Sequence, residues 1–152
     1  MDELRRQYRL QGHNLTGKLI ASIEDKVTLT VTGAKVQVLI VDYGVIINNG
    51  TPASRIPYTP GSGRGGTSKY IQGLQNFARL RMGLNAREAL SVAFAIAKKQ
   101  SKEGMPTKGS FRFSKNGKRT GAIEDTLEII DNKIVQLTAD FVEEIVTMNL
   151  AA

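Results

Sequence analysis

The stretch "KVTLTVTGAKVQVLIV", residues 26–41, decides the fold class. Within it "VTLTV" alternates apolar and hydroxylated side chains at the period of a strand, and "KVQVLIV" is a second β-branched run. "TGAK" between them supplies turn residues, which predicts an antiparallel hairpin. Upstream, "KLIASI" (18–23) reads as another β-branched run. Downstream, "YGVIINNGT" (43–51) ends the sheet, with Asn48, Asn49 and Gly50 tolerating positive φ at a turn.

Outward from this region the periodicity becomes helical. Residues 2–11 read as a short helix whose apolar stripe is only Leu4 and Tyr8, too little to fold without a partner surface. A helix is predicted from Thr67 or Ser68 through "SKYIQGLQNFARLRMG", with Ile71, Leu74, Phe77, Ala78 and Leu80 or Arg81 on one face and Gly83 as terminator. Asn85, with Glu88 three residues on, starts the next helix as a capping box. Leu90, Ala93, Phe94 and Ala97 line that helix, and Gly104 closes it. "SFRFSKNGKRTG" predicts a small hairpin turning at Asn116-Gly117. In the last segment Ile130, Ile134, Leu137, Phe141, Ile145 and Met148 trace a helical stripe, to be packed on a sheet or on another chain. The expected architecture is one α+β domain over 1–152, with a small antiparallel sheet packed by N-terminal, middle and C-terminal helices. Long glycine-rich loops join these, and 52–121 is a long insertion carrying loop arms and two helices.

With 152 residues the chain is large enough for one core. It has no cysteine and one histidine, His13, so neither a disulfide framework nor a cysteine metal site is available. His13 reads as a solvent-exposed turn residue. No run of apolar residues is long enough to span a membrane, and the polar start "MDELRRQYRLQG" carries no secretory h-region. The net charge of +7 is unevenly placed. Residues 1–121 hold 20 Lys/Arg against 7 Asp/Glu, whereas residues 122–152 hold Lys133 alone against 7 acids. A basic body with an acidic final segment suits contact with a polyanion, or head-to-tail contact between copies of the chain.

The loop "IPYTPGSGRGGTSKY" (56–70) superficially fits nucleotide motifs through Gly61, Gly63 and Gly66. It lacks the lysine that a P-loop places before its Ser/Thr, because position 67 is threonine and Lys69 follows the serine. Its approach contains Pro57 and Pro60, which resist a central strand. Gly61, Gly63, Arg64 and Gly66 therefore read as a mobile surface arm. Glu124-Asp125 and Glu143-Glu144 are adjacent pairs that point in different directions on a helix, a solvated face. No catalytic, cofactor or metal constellation is expected. The segment 104–121 is basic and glycine-rich. Lys108, Arg112, Lys115, Lys118 and Arg119 are available to DNA phosphates or to the acidic helix of a neighbour. Phe111 and Phe113 flank Arg112 as a stacking surface would, although two residues apart on a strand they would share one face and pack inward.

"TGKLIASI" (16–23) resembles the T-G-[KR]-L-x-x-S-I signature of phage tail-completion, or head–tail joining, proteins. In that family a helix precedes the motif, strands follow, and then comes Y-A-x-Y-V-E-x-G-T. "YGVIINNGT" preserves the tyrosine-to-glycine interval. Thr16, Gly17, Leu19, Ser22, Ile23, Tyr43, Gly50 and Thr51 carry the match, and Ile47 is a conservative fit. Gly44, Ile46 and Asn48 depart from alanine, tyrosine and glutamate. "GMPTKG" and "NGKRTGAIED" resemble structural proteins of Bacteroidota phages, including crAss-like ones. The resemblance implies a structural, non-enzymatic virion protein without cofactor, assembled in the host cytoplasm as a ring of six or twelve copies in the neck between portal and tail. Its implied partners are itself, the portal or neighbouring neck and tail proteins, and non-specifically the genomic DNA, with no membrane. The long glycine-rich loops then read as arms onto neighbouring subunits. The alternative from composition alone is a freestanding basic nucleic-acid-binding protein.

Overall fold

The computed structural model describes residues 2–31, 33–61 and 68–150, and has the α+β architecture of a small antiparallel sheet among helices. Helix α1 (Asp2–Leu10) has acids in its first turn and Arg9 in its last, as the helix dipole favours. Leu4 and Tyr8 are its buried residues together with Gln7. A one-turn helix α2 (Lys18–Ala21) follows, then strands β1 (Glu24–Thr30) and β2 (Gly33–Leu39), paired with Val27 opposite Val36. The run 18–23 was expected as a strand. Its first four residues turn as a helix instead, and Leu19, Ile20 and the following Ile23 all enter one core with Leu4, Tyr8 and Ala122, a spacing a strand cannot present to one side.

Just beyond the hairpin the chain again turns helical. Residues 42–49, read as the end of the sheet, form α3 (Asp42–Asn49). Its close approach to α2 depends on Gly44, whose added Cβ would lie 2.9 Å from Leu19 Cδ1. No non-glycine residue among those described has positive φ, so Asn48 and Asn49 are helical and Gly50 alone makes the turn. Thr51 then pairs with Met105 in an isolated antiparallel bridge, N–H to carbonyl at 2.6 and 2.7 Å. Gly50 and Gly104 flank it at φ 73° and 81°, and a Cβ on either would meet a backbone oxygen at 2.7 Å. Only glycine lets the two backbones come this close.

Helices α4 (Lys69–Met82) and α5 (Ala86–Glu103) form an antiparallel pair around Ile71, Ala93 and Ala97, with Tyr70, Leu74, Leu90 and Phe94 packed against them. The local signals act as read: Ser68 accepts from Ile71 N–H, Gly83 adopts φ 66°, and the Asn85–Glu88 capping box is complete. Tyr70 donates to the buried Gln100 amide oxygen, so this second core carries a polar pair that is satisfied. The last helix, α6 (Ala122–Leu150), starts against α1 and leaves the body.

Candidate assembly surfaces

The base of α6 is held by one residue that sequence reading assigned to a turn. Asn48 is buried on α3. Its Nδ2 donates to Glu124 Oε2 at 2.8 Å, its Oδ1 accepts from Ile123 N–H at 2.9 Å, and its carbonyl accepts from Gly121 N–H at 3.0 Å. Asn48 therefore caps α6 from another helix. The only signal for it was a polar residue directly after the aliphatic run Val45-Ile46-Ile47.

The segment 104–121 was expected to be a free arm with a hairpin at its tip. It contains no hairpin. Residues Lys108–Phe113 form a 3-10 turn, and Asn116 Oδ1 accepts from Lys118 N–H in a side-chain turn around Gly117. Its backbone is bound to the end of α1 instead: Lys115 N–H donates to Leu10 carbonyl at 2.7 Å, and Gln11 Nε2 donates to Thr120 carbonyl at 3.0 Å. Arg119 Nη1 donates to Gln11 carbonyl at 2.6 Å, and burial lowers the pKa of its guanidinium. His13 is not a free turn residue either. Its Nε2–H donates to Arg119 carbonyl at 3.0 Å, its ring meets Tyr8 edge-on, and burial pulls its pKa down from 6.5 to about 4. Burial likewise pushes Tyr8, whose hydroxyl donates to Gly44 carbonyl, up to about 12, with Glu124 adding to the effect.

These contacts redistribute the five basic residues. Lys118 Nζ pairs with Asp125 at 2.6 Å, a bond that raises the lysine pKa, so a grip expected between copies is made inside one chain. Arg119 serves its own backbone. The Arg112 guanidinium lies 4.8 Å over the Phe113 ring. Phe111 and Phe113 do not pack inward; on a 3-10 turn they point apart and both are exposed. The side chains of Lys108 and Lys115 remain exposed at the surface.

The motif residues separate into three places. Leu19 and Ile23 are core, and Ser22 Oγ donates to Leu19 carbonyl while accepting from Val41 N–H, tying α2 to the end of the hairpin. Gly50 and Thr51 build the bridge to Met105. Thr16 and Tyr43 are exposed, and Gly17 begins α2 at φ 72°. Of the glycine arm, Gly61 is exposed, whereas Gly63, Arg64 and Gly66 lie outside the described residues. Among the described residues no cluster of His, Asp and Glu is arranged to hold a metal ion, and no helix is long and apolar enough to cross a membrane.

Two large apolar surfaces are bare. Every residue of β1 is exposed, including Leu29 at 81%. The register sets Val27 beside Val36 on one face, with Leu29, Val38 and, at its end, Asp25 on the same side; Glu24, Lys26, Thr28, Lys35, Gln37 and Leu39 occupy the other. The sheet is thus an amphipathic hairpin standing off the body, its faces uncovered by the helices around it. On α6 every described side chain from 131 to 148 is exposed, with Leu137 at 68% and Val135 at 69%. The expected stripe exists, but beyond residue 131 the described residues leave it exposed. Exposed apolar surface on this scale marks an interaction site. The chain matches no protein-family model, no curated protein and no solved structure.

Proposed function

We propose that this chain is a structural, non-enzymatic protein of a tailed-phage virion, forming a ring of like copies at the head–tail junction between portal and tail. The observation that carries the reading is the pair of uncovered apolar surfaces on β1–β2 and α6, which a protein working alone would leave in water at great cost. Support also comes from the order of elements around the resembling motifs: a helix, then "TGKLIASI", then the strands, then Gly50-Thr51. The reading places assembly in the host cytoplasm and the product in the virion. Mass spectrometry of purified particles should detect the chain at several copies per virion, and its absence from mature particles would overturn the assignment.

The alternative, a freestanding nucleic-acid-binding protein, draws on the basic segment 108–119. It is weakened by the engagement of Lys118 and Arg119 within the chain. A high-order species of fixed mass in solution distinguishes the ring from the free binder.

A further inference from the structure

We infer that copies of this chain join head to tail, the apolar face of the β1–β2 hairpin of one copy lying along the apolar side of α6 of the next. The inference rests on the self-assembling reading above and names the contact that reading leaves open.

The two surfaces fit in outline. Along α6, Ile134, Leu137, Phe141 and Ile145 form one row, and Val135, Val142 and Val146 form a second beside it. At 3.6 residues per turn the two rows cover about half of the helix circumference. From residue 134 to 148 they run ~21 Å at 1.5 Å per residue. The strands have seven residues each, a length of ~22 Å at the usual rise. A two-stranded ribbon with its side chains is also about as wide as a helix, ~10 Å.

Other occupants fit less well. A second α6 would use a narrow seam, and the stripe at 134, 137, 141, 145 and 148 breaks heptad spacing between 141 and 145. Such a pair would leave the row of Val135, Val142 and Val146 bare, and would place Glu144 of each copy at the edge of the seam. On the hairpin the docking face carries a single charge, Asp25 at its end opposite Val38, whereas Glu24, Lys26 and Lys35 lie on the other face, so it brings less repulsion than a second acidic helix. A lipid surface is disfavoured because the polar side of α6 is acidic, whereas interfacial helices present basic residues there. A lone two-stranded hairpin is marginal in water and gains independent stability by packing on a helix. The exposed apolar side chains number four on this face of the hairpin, Val27, Leu29, Val36 and Val38, and eight on α6 beyond residue 131. At roughly 100 Å² each, covering them buries on the order of 1,200 Å², at the lower end of the range of specific interfaces. Because the contact joins unlike surfaces, it repeats around a ring if the rotation closes.

Complementation tests this directly. Leu29→Asp spoils the hairpin and leaves α6 intact, and Val142→Asp does the reverse; both sites are exposed, so circular dichroism should show wild-type folding. Sedimentation of the wild type should give species larger than a dimer. Each variant alone should fall to the 16.6 kDa chain mass. Their equimolar mixture should give a discrete species of twice that mass, since one good hairpin then meets one good helix. No rescue in the mixture, or a wild type that stays monomeric at every concentration, overturns the inference. A second measurement exploits the absence of cysteine. With Leu29→Cys and Val142→Cys and a short bis-maleimide, mixed 29–142 cross-links are expected. Dominant 29–29 or 142–142 products, or a cross-link within one chain in the double variant, overturn it. Assembly through 142–142 pairs would sink this contact and leave the virion assignment standing, while absence from particles would sink that assignment and leave a 29–142 contact standing.

Discussion

His13 and Arg119 meet where the end of α1 receives the segment before α6. The imidazole is held neutral by burial, with Arg119 exerting opposite effects through its carbonyl and its charge. In the unfolded chain the ring titrates near its ordinary 6.5; in the folded chain it does so near 4. The unfolded state therefore binds more protons between these values. The contribution is fully present above pH 6.5 and is lost as pH falls through the folded value, at a rate approaching ~1.4 kcal/mol per pH unit. Urea midpoints between pH 7 and pH 4 should fall more steeply for wild type than for His13→Gln, which keeps a donor for the Arg119 carbonyl but does not titrate. Parallel curves would show that the ring is not held neutral.

At the scale of elements, one side chain joins α3 to α6. Asn48 supplies the acceptor for Ile123 N–H and the donor for the Glu124 carboxylate. Its replacement by alanine leaves both without that partner close to a buried core, and each such loss costs about 1–3 kcal/mol. Asn48→Ala should therefore lower the folding free energy by ~2–4 kcal/mol, read from equilibrium urea unfolding. A change under ~0.5 kcal/mol would mean that water replaces both bonds. The neighbouring Lys118–Asp125 pair is a different case: Lys118 is exposed, and such surface pairs contribute little in salt. The elements themselves were unevenly legible. Ser68, Gly83, Asn85 and Glu88 act through contacts within four residues, which the sequence alone displays. The run 18–23 was misread because its β-branched content favours a strand, whereas its burial in the core with Leu4 and Tyr8 demands a helix. Asn116-Gly117 does turn, but its flanks bond to α1 and to side chains instead of pairing with each other.

For the whole molecule, two forces are candidates for holding copies together in the assembly proposed above. The sequence suggested attraction between the basic body and the acidic last helix; the structure adds wide apolar faces on the hairpin and on α6. Raising salt separates them. From about 0.1 M to about 1 M the Debye length shrinks from ~10 Å to ~3 Å, weakening exposed ion pairs, while apolar burial persists. The mass of the assembled species should hold across this range. Dissociation at high salt would return the leading role to Lys108, Lys115 and their acidic counterparts.

The hairpin, the caps of α4 and α5, the stripe of the last helix and the basic-to-acidic division of the chain are all legible in the residues alone. Each of these depends on residues near one another or on simple counting. Packing, in contrast, makes residues 18–21 and 42–49 helical, sets Asn48 as the cap of a helix 75 residues away, and binds the segment 104–121 to α1. It also decides which apolar faces remain uncovered. An amphipathic pattern states that a face requires a cover; whether the same chain supplies it depends on where α6 and the hairpin leave the core, and here they leave it with both faces bare.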